Sequence, residues 1–369
     1  MASSPDGNSI ARLKYYESLE SMEGIVGTIR PPLPRLFAIL PRGRLLHAVY
    51  PGVIVALTIA LAASWLAQHY ATPVMLFALL LGMAFHFLHE EGRCIPGIEF
   101  CSRTVLRVGI ALLGLRITFG QIAGLGIWPV LTILVGVATT ILVGTWLAGR
   151  LKLDNRFGIL SGGSVAICGA SAALAIASVL PRHKTLERDT ILTVVAVTTL
   201  STVAMVLYPL LVAALGLDNA RAGVFLGGTI HDVAQVVGAG YMVSEETGDV
   251  ATYVKLLRVA TLMPVVLIVS LILARGADTA KPGRTPFLPF FLIVFATLVV
   301  LNSLAPVPTA VIDAATDISR WCLVTAIAAL GMKTSFRDLM EVGWRPVGLI
   351  LAETGWIAAL VLLSVEFLI

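Results

Sequence analysis

Eleven long apolar stretches run through this chain, and they fix the kind of solvent it can live in. They lie near 49–67, 72–88, 104–120, 126–148, 158–180, 190–214, 222–242, 257–274, 287–303, 319–332 and 346–367. A helix rises about 1.5 Å per residue, so about 20 apolar residues cross the ~30 Å hydrocarbon core of a bilayer. Within each stretch the apolar residues run on without the strict alternation of a barrel strand, which predicts helices. Composition agrees: 13% of the 369 residues are charged and 57% hydrophobic, where a soluble domain carries roughly a quarter charged. The expected fold class is an all-α polytopic membrane protein, with residues 47–369 as its transmembrane domain. The lipid bilayer is its first partner.

Before that domain, residues 1–46 form a polar tail followed by Pro31–Leu46, a mixed apolar and basic segment suited to lying on the cytoplasmic leaflet. The tail has no apolar h-region, so no cleaved signal peptide is expected. The net charge of +4 comes from Lys and Arg scattered over loops, without interleaved aromatics, which argues against nucleic acid. Neither a disulfide nor a zinc site is expected from the four cysteines Cys94, Cys101, Cys168 and Cys322. No nucleotide-binding loop, HExxH or pair of acids at catalytic spacing occurs, so no catalytic residue, metal or cofactor is expected.

With a cytoplasmic N-terminus, the loops at 89–103, 149–157, 275–286 and 333–345 are inside and basic. Those at 243–256 and 304–318 are outside and acidic, as the positive-inside rule requires. One loop objects: Pro181 to Arg188 would be outside if 158–180 crosses fully. It moves inside if 158–180 is re-entrant, which makes 222–242 re-entrant from the other side. Each stretch is long enough to span, and on length the sequence favours two full but interrupted crossings. The chain also repeats itself. Ile110 to Arg116 recurs as Ile327 to Lys333, and at the same offset Phe119, Gly126 and Pro129 match Phe336, Gly343 and Pro346. An odd number of spans separates the copies, so the repeats near 49–148 and 257–367 are inverted, as in many secondary transporters.

Two stretches look like a site. Ser161 to Ser171 puts glycines and small hydroxyls inside an apolar run, where a broken helix exposes backbone N–H groups with a positive dipole end that favours an anion. Close packing through small residues is the bland alternative. Gly227 to Gly238 opens similarly and carries Asp232, a costly carboxylate within an apolar run, beside His231, with Gln235 one turn on. Lys255, Arg258, Arg107 and Arg116 fall near predicted membrane edges, where basic residues snorkel to headgroups or form an electropositive route.

These motifs resemble the YeiH family, also called UPF0324, a group of bacterial inner-membrane proteins labelled as sulfate exporters. The resemblance rests on Leu106–Ile110, Gly114–Arg116, Ser164–Ala172, Gly228–Val236, Leu257–Val259 and Ala329–Gly331, in family order after residue 47. It implies an inner-membrane transporter related to cation/proton antiporters and anion transporters, with discontinuous helices and a core moving against a scaffold. Transporters of that architecture often form homodimers. The expectation is therefore a secondary active transporter of a small inorganic or organic anion, with H⁺ or Na⁺ as coupling ion. Ser164 and Thr229 would bind anion oxygens together with Cys168 and Gly169, supported by Ser171 and Gln235. His231 would bind the anion by compensating its charge, or carry a proton; Asp232 would couple the H⁺ or Na⁺, and Arg258 would attract the anion at the mouth. A cation/proton antiporter using Asp232 and a membrane-embedded enzyme or sensor are the rivals.

Overall fold

In the computed structural model, residues 42–367 are described apart from 71–72, 91, 125, 182–184, 275–289, 306 and 335–343. The tail and most of the interfacial segment therefore lie outside the described residues. So do the 275–286 loop, most of the 333–345 loop, and Phe336 and Gly343 of the repeat.

The described residues form helices α1 (Arg42–Tyr70), α2 (Val74–Ala84), α3 (Phe87–Glu90), α4 (Ile95–Phe100), α5 (Leu106–Leu113), α6 (Phe119–Gly124), α7 (Trp128–Arg150), α8 (Asn155–Ala166) and α9 (Ala170–Val179). They continue as α10 (Leu186–Leu215), α11 (Asn219–Thr229), α12 (Val233–Val243), α13 (Glu245–Ala260), α14 (Leu262–Ala274), α15 (Phe290–Leu304), α16 (Thr309–Lys333) and α17 (Trp344–Phe367). A π turn at Cys101–Val105 joins α4 to α5. The protein is an all-α membrane protein: among the described residues, five helices or helix pairs are each long and apolar enough to cross a bilayer, and shorter apolar helices accompany them.

Three predicted loops turn out to be helical. The 89–103 loop shrinks because Pro96 starts α4 at its first turn, where its missing N–H costs nothing, and Glu99 pairs with Arg103 one turn on. The acidic loop at 243–256 is the start of α13. Ser244 caps it by accepting from the Thr247 N–H (3.0 Å), and Glu245 and Glu246 occupy its first turn, where the dipole favours acids. Similarly, Asp313 and Asp317 lie on the opening turns of α16, which begins at Thr309 rather than 319.

The helices sort into two bundles. One holds α1, α2, α4, α5, α15 and α16; the other holds α7 to α14 with α17, and α12 meets α2 and α16 between them. Glycines set the closest approaches: Gly52 faces Gly97, Gly82 faces Gly331, and Gly144 faces Gly158, at distances that leave no room for a Cβ. Helices from the two similar stretches pack together. Gly109 on α5 packs on Cys322 and Leu323 of α16, and Gly136 on α7 packs on Ile357 and Leu360 of α17.

Neither glycine-rich stretch crosses the membrane; each is a hairpin. In α8–α9, Gly163 on the outgoing arm packs against Ile176 on the returning arm. In α11–α12, Asn219 at the start lies beside Ser244 at the end, whose hydroxyl donates to Asn219 Oδ1 (3.1 Å). The Thr247 hydroxyl donates to the Asn219 carbonyl there (3.1 Å). Helix α10 runs parallel to α12, as Ser201, Thr202 and Met205 meet Asp232, Gln235 and Gly238 in order. Its end therefore shares a face with the open end of α11–α12. Its start, and with it the open end of α8–α9, lies on the opposite face. The hairpins enter from opposite sides and meet tip to tip, which corrects the expectation of interrupted crossings. The physical reason is the one behind the Pro181–Arg188 objection: with α8–α9 re-entrant, Arg188 at the start of α10 shares a face with Arg150, Lys152 and Arg156, while 182–184 lie outside the described residues.

Candidate functional site

A helix end leaves its last four carbonyls without intrahelical partners and gives them a negative dipole. The first arms of both hairpins, α8 and α11, end inside the protein. Their carbonyls need donors that lipid cannot supply.

Arg258 and Lys255, one turn apart on α13, supply them. Arg258 donates from Nη2 to the Val165 carbonyl (2.7 Å) and from Nε to that of Ala166 (2.9 Å). Its Nη1 reaches the carbonyls of Gly227 and Ile230 (both 3.3 Å). Lys255 Nζ donates to the Ile167 carbonyl (2.6 Å) and to that of Ile230 (3.1 Å). Both are sealed from solvent, at 0% exposure for Lys255 and 1% for Arg258. Arg258 is thus no headgroup anchor and no lure at a mouth. It bridges the two tips at their deepest point, because α13 is a helix where a loop was expected.

The second arms begin at the same place with their N-termini. Helix α12 is capped by Asp232, whose Oδ1 accepts from the N–H of Ala234 (2.8 Å) and of Gln235 (3.4 Å). Asp232 is half-buried, and its own N–H donates to Ser201 Oγ (3.0 Å). Helix α9 is different. Its N-cap is Gly169, at φ +67°, which brings no side-chain acceptor. A Cβ on Gly169 would stand 3.6 Å from that of His231, so the tips touch.

The remaining sequence-predicted residues divide by what they bond. Ser164 and Thr229 are buried, and each donates to the carbonyl four residues back, Leu160 (2.5 Å) and Phe225 (2.6 Å). Their hydroxyls satisfy local backbone. Cys168 and Ser171 are 3.0 Å apart, Sγ to Oγ, at the first turn of α9. His231 Nε2 meets Thr354 Oγ1 on α17 (3.0 Å). Gln235 Nε2 donates to Thr202 (2.7 Å) while its buried Oε1 has no partner. All eight residues expected from the sequence to bind substrate, and Asp232, therefore lie on the two hairpins or the helix that joins their tips. Arg116, by contrast, pairs with Asp249 and Glu245 (both 2.8 Å) at the face where α11–α12 opens. The Ser303 hydroxyl accepts from the Phe119 N–H (2.9 Å), tying α6 to α15.

Sequence reasoning missed two buried charges. Lys255 was read as an edge residue, although its spacing of three from Arg258 places both on one helix face. Glu353, at 0% exposure, carries the same signal as Asp232, a carboxylate within an apolar run. Among the described residues, no group of His, Cys, Asp and Glu could hold a metal ion.

The family described as Conserved hypothetical protein 698 matches residues 51–350. A UPF0324 membrane protein of Chlorobaculum tepidum is 56% identical over 321 residues, covering 86% of this chain and 90% of that one. UPF0324 membrane protein TauZ of Paracoccus denitrificans is 51% identical over 332 residues, covering 89% and 98%. Among solved structures, the sodium proton antiporter MjNhaP1 from Methanocaldococcus jannaschii aligns with 87% of this chain and 99% of that one. Identity is 15% and the TM-score 0.27, too low to carry an argument about fold or activity.

Proposed function

The chain belongs to the UPF0324 family of membrane proteins, and from that premise we propose that it is a secondary active transporter of a small anion working by alternating access. The substrate class is sulfate or a small sulfonate or carboxylate, coupled to H⁺ or Na⁺. The carrying observation is the pair of sealed cations, Arg258 and Lys255, joined to both hairpin tips. Among the described residues, Asp232 is the one carboxylate bonded at the tips, so this region holds an excess of positive charge. Burying charge is expensive unless it is compensated. The uncapped N-terminus of α9 adds a positive dipole end beside it. An oxyanion seated there by the backbone of Gly169 to Ser171 offsets both.

Movement of the hairpin bundle against the other would expose the tips to each face in turn. The face carrying Arg150, Lys152, Arg156 and Arg188 is assigned to the cytoplasm of a bacterial inner membrane by the positive-inside rule, which leaves the N-terminus cytoplasmic. For the rival cation/proton antiporter, Asp232 is poorly placed: it already holds two backbone N–H groups and stands near the ammonium groups of Lys255 and Lys333, which repel a further cation. The test is flux of radiolabelled sulfate, a short sulfonate and a short carboxylate in proteoliposomes, with and without pH and Na⁺ gradients. Saturable uptake of one of them, driven by a gradient, is expected. Absence of saturable anion flux with intact, folded protein would remove the proposal.

A further inference from the structure

The proposed cycle leaves one sealed acid unused. Glu353 lies on α17 where that helix crosses α7 and α8. Its Oε1 accepts from the Ser161 hydroxyl (2.8 Å), and its Oε2 is buried without a partner. The space for the carboxyl is made by glycine: a Cβ on Gly144 would lie 3.1 Å from Glu353 Cδ and 3.0 Å from the Gly158 carbonyl oxygen. One turn before Gly144 on the same helix, the Thr140 hydroxyl is also buried and without a partner. Among the described residues, these are two buried polar atoms without a partner, and the acid has the Ser161 hydroxyl and the Gly144–Gly158 contact beside it.

No described cation faces it. Helix α7 presents one charged group, Arg150 at its far end, and α8 presents Arg156 in its first turn. Near the start of α10, Arg188 and Asp189 pair with each other (3.7 Å), the Glu187 side chain lies outside the described residues, and Tyr208 on the same helix packs on Phe225. Helix α11 carries Arg221, paired with Asp218 (3.5 Å). The one titratable group that reaches the next residue of α17 is His231, through Thr354 (3.0 Å). A carboxyl so enclosed, with one hydroxyl donor and no counter-charge, is stable as the neutral acid.

We propose that Glu353 is the proton-carrying group of the transport cycle, a coupling site separate from the anion site at the tips. The proposal rests on the anion-transport reading above. The step is a simple ionisation: the O–H bond at Oε2 breaks heterolytically, the proton passes to water admitted from one face, and the carboxylate is reprotonated from the other. Coupling is built into α17. Glu353 holds the outgoing arm of α8–α9 through Ser161, while Thr354 holds the tip of α11–α12 through His231. A change of charge at Glu353 therefore bears on both hairpins at once.

Glu353→Gln keeps the shape and an acceptor for Ser161 while removing the ionisation. With purified protein in proteoliposomes, sulfate uptake driven by a pH gradient should fall at least tenfold, while sulfate–sulfate exchange at equal pH stays within about threefold. Infrared difference spectra of the purified protein between high and low pH should show a buried carboxylic-acid C=O band that is lost in Glu353→Gln. That arm needs no transport, so it reads Glu353 even if no anion is carried. Unchanged pH-driven uptake, equal loss of exchange in a folded variant, a defect confined to Na⁺-driven uptake, or an unchanged band would each overturn the inference.

Discussion

The two hairpins are built alike on one side and unlike on the other. Their outgoing arms, α8 and α11, end on the same two cations, so their carbonyl ends are treated as one. Their returning arms differ: α12 starts on a carboxylate that accepts two N–H groups, and α9 starts on a glycine with no side-chain acceptor. One positive helix end is neutralised from within the chain and the other is left for something else. That asymmetry, set beside a shared cationic clamp, favours an anion at α8–α9 over a cation at Asp232.

The shared part should be the most sensitive. Arg258→Met strips the carbonyls of Val165 and Ala166 of their charged donors and loosens both tips together. Hydrogen bonds to a charged group contribute about 1.5–3 kcal/mol each, so a destabilisation of about 3 kcal/mol or more is expected, with flux abolished. Thermal unfolding in detergent, read by tryptophan fluorescence, measures the first and vesicle uptake the second. A variant with wild-type melting and flux would mean that the clamp contributes little.

Asp232→Asn separates the rivals. Asn caps a helix as well as Asp, so stability should change by less than about 1 kcal/mol. Removing the negative charge next to the cations should tighten sulfate binding by about threefold to tenfold, the scale of a charge at a helix end. Binding by calorimetry on purified protein checks this. Loss of Na⁺- or H⁺-dependent flux with no effect of sulfate would instead support the antiporter.

How far these features were legible follows from what each depends on. Breaks within Ser161–Ser171 and Gly227–Gly238, which fall between α8 and α9 and between α11 and α12, were readable because glycine and charge within an apolar run are local signals. Whether the chain turned back at those breaks was not local: it depended on Asn219 finding Ser244, 25 residues away. Only the misplaced basic loop at 181–188 hinted at it. Lys255 and Arg258 were misread because acids at 245, 246 and 249 made the start of α13 look like a solvated loop. Those acids instead favour the helix N-terminus, and Asp249 finds Tyr241 and Arg116.

Gly169→Ala probes the tip that lacks a cap. At φ +67° and ψ −123° an L side chain is strained by about 1–3 kcal/mol. The matching tip of α11–α12 has no residue at positive φ. Melting of Gly169→Ala should therefore fall by the few degrees that such strain implies, read by tryptophan fluorescence in detergent. Wild-type melting would mean that the α8–α9 tip relaxes to take a side chain.

The smallest effect is the most specific. Ser171 is half-buried in the first turn of α9, its hydroxyl beside Cys168 Sγ (3.0 Å) and next to the uncapped N–H groups. If an oxyanion sits there, Ser171→Ala removes one hydrogen bond of about 1 kcal/mol and weakens sulfate binding about fivefold, with stability changed by less than about 0.5 kcal/mol. Thr229→Val makes a comparison of the same size on the other hairpin. Its hydroxyl already serves the Phe225 carbonyl, so binding should not change. Equal losses at both positions would mean that the anion contacts the two tips alike, and that the missing cap of α9 is a matter of packing rather than recognition.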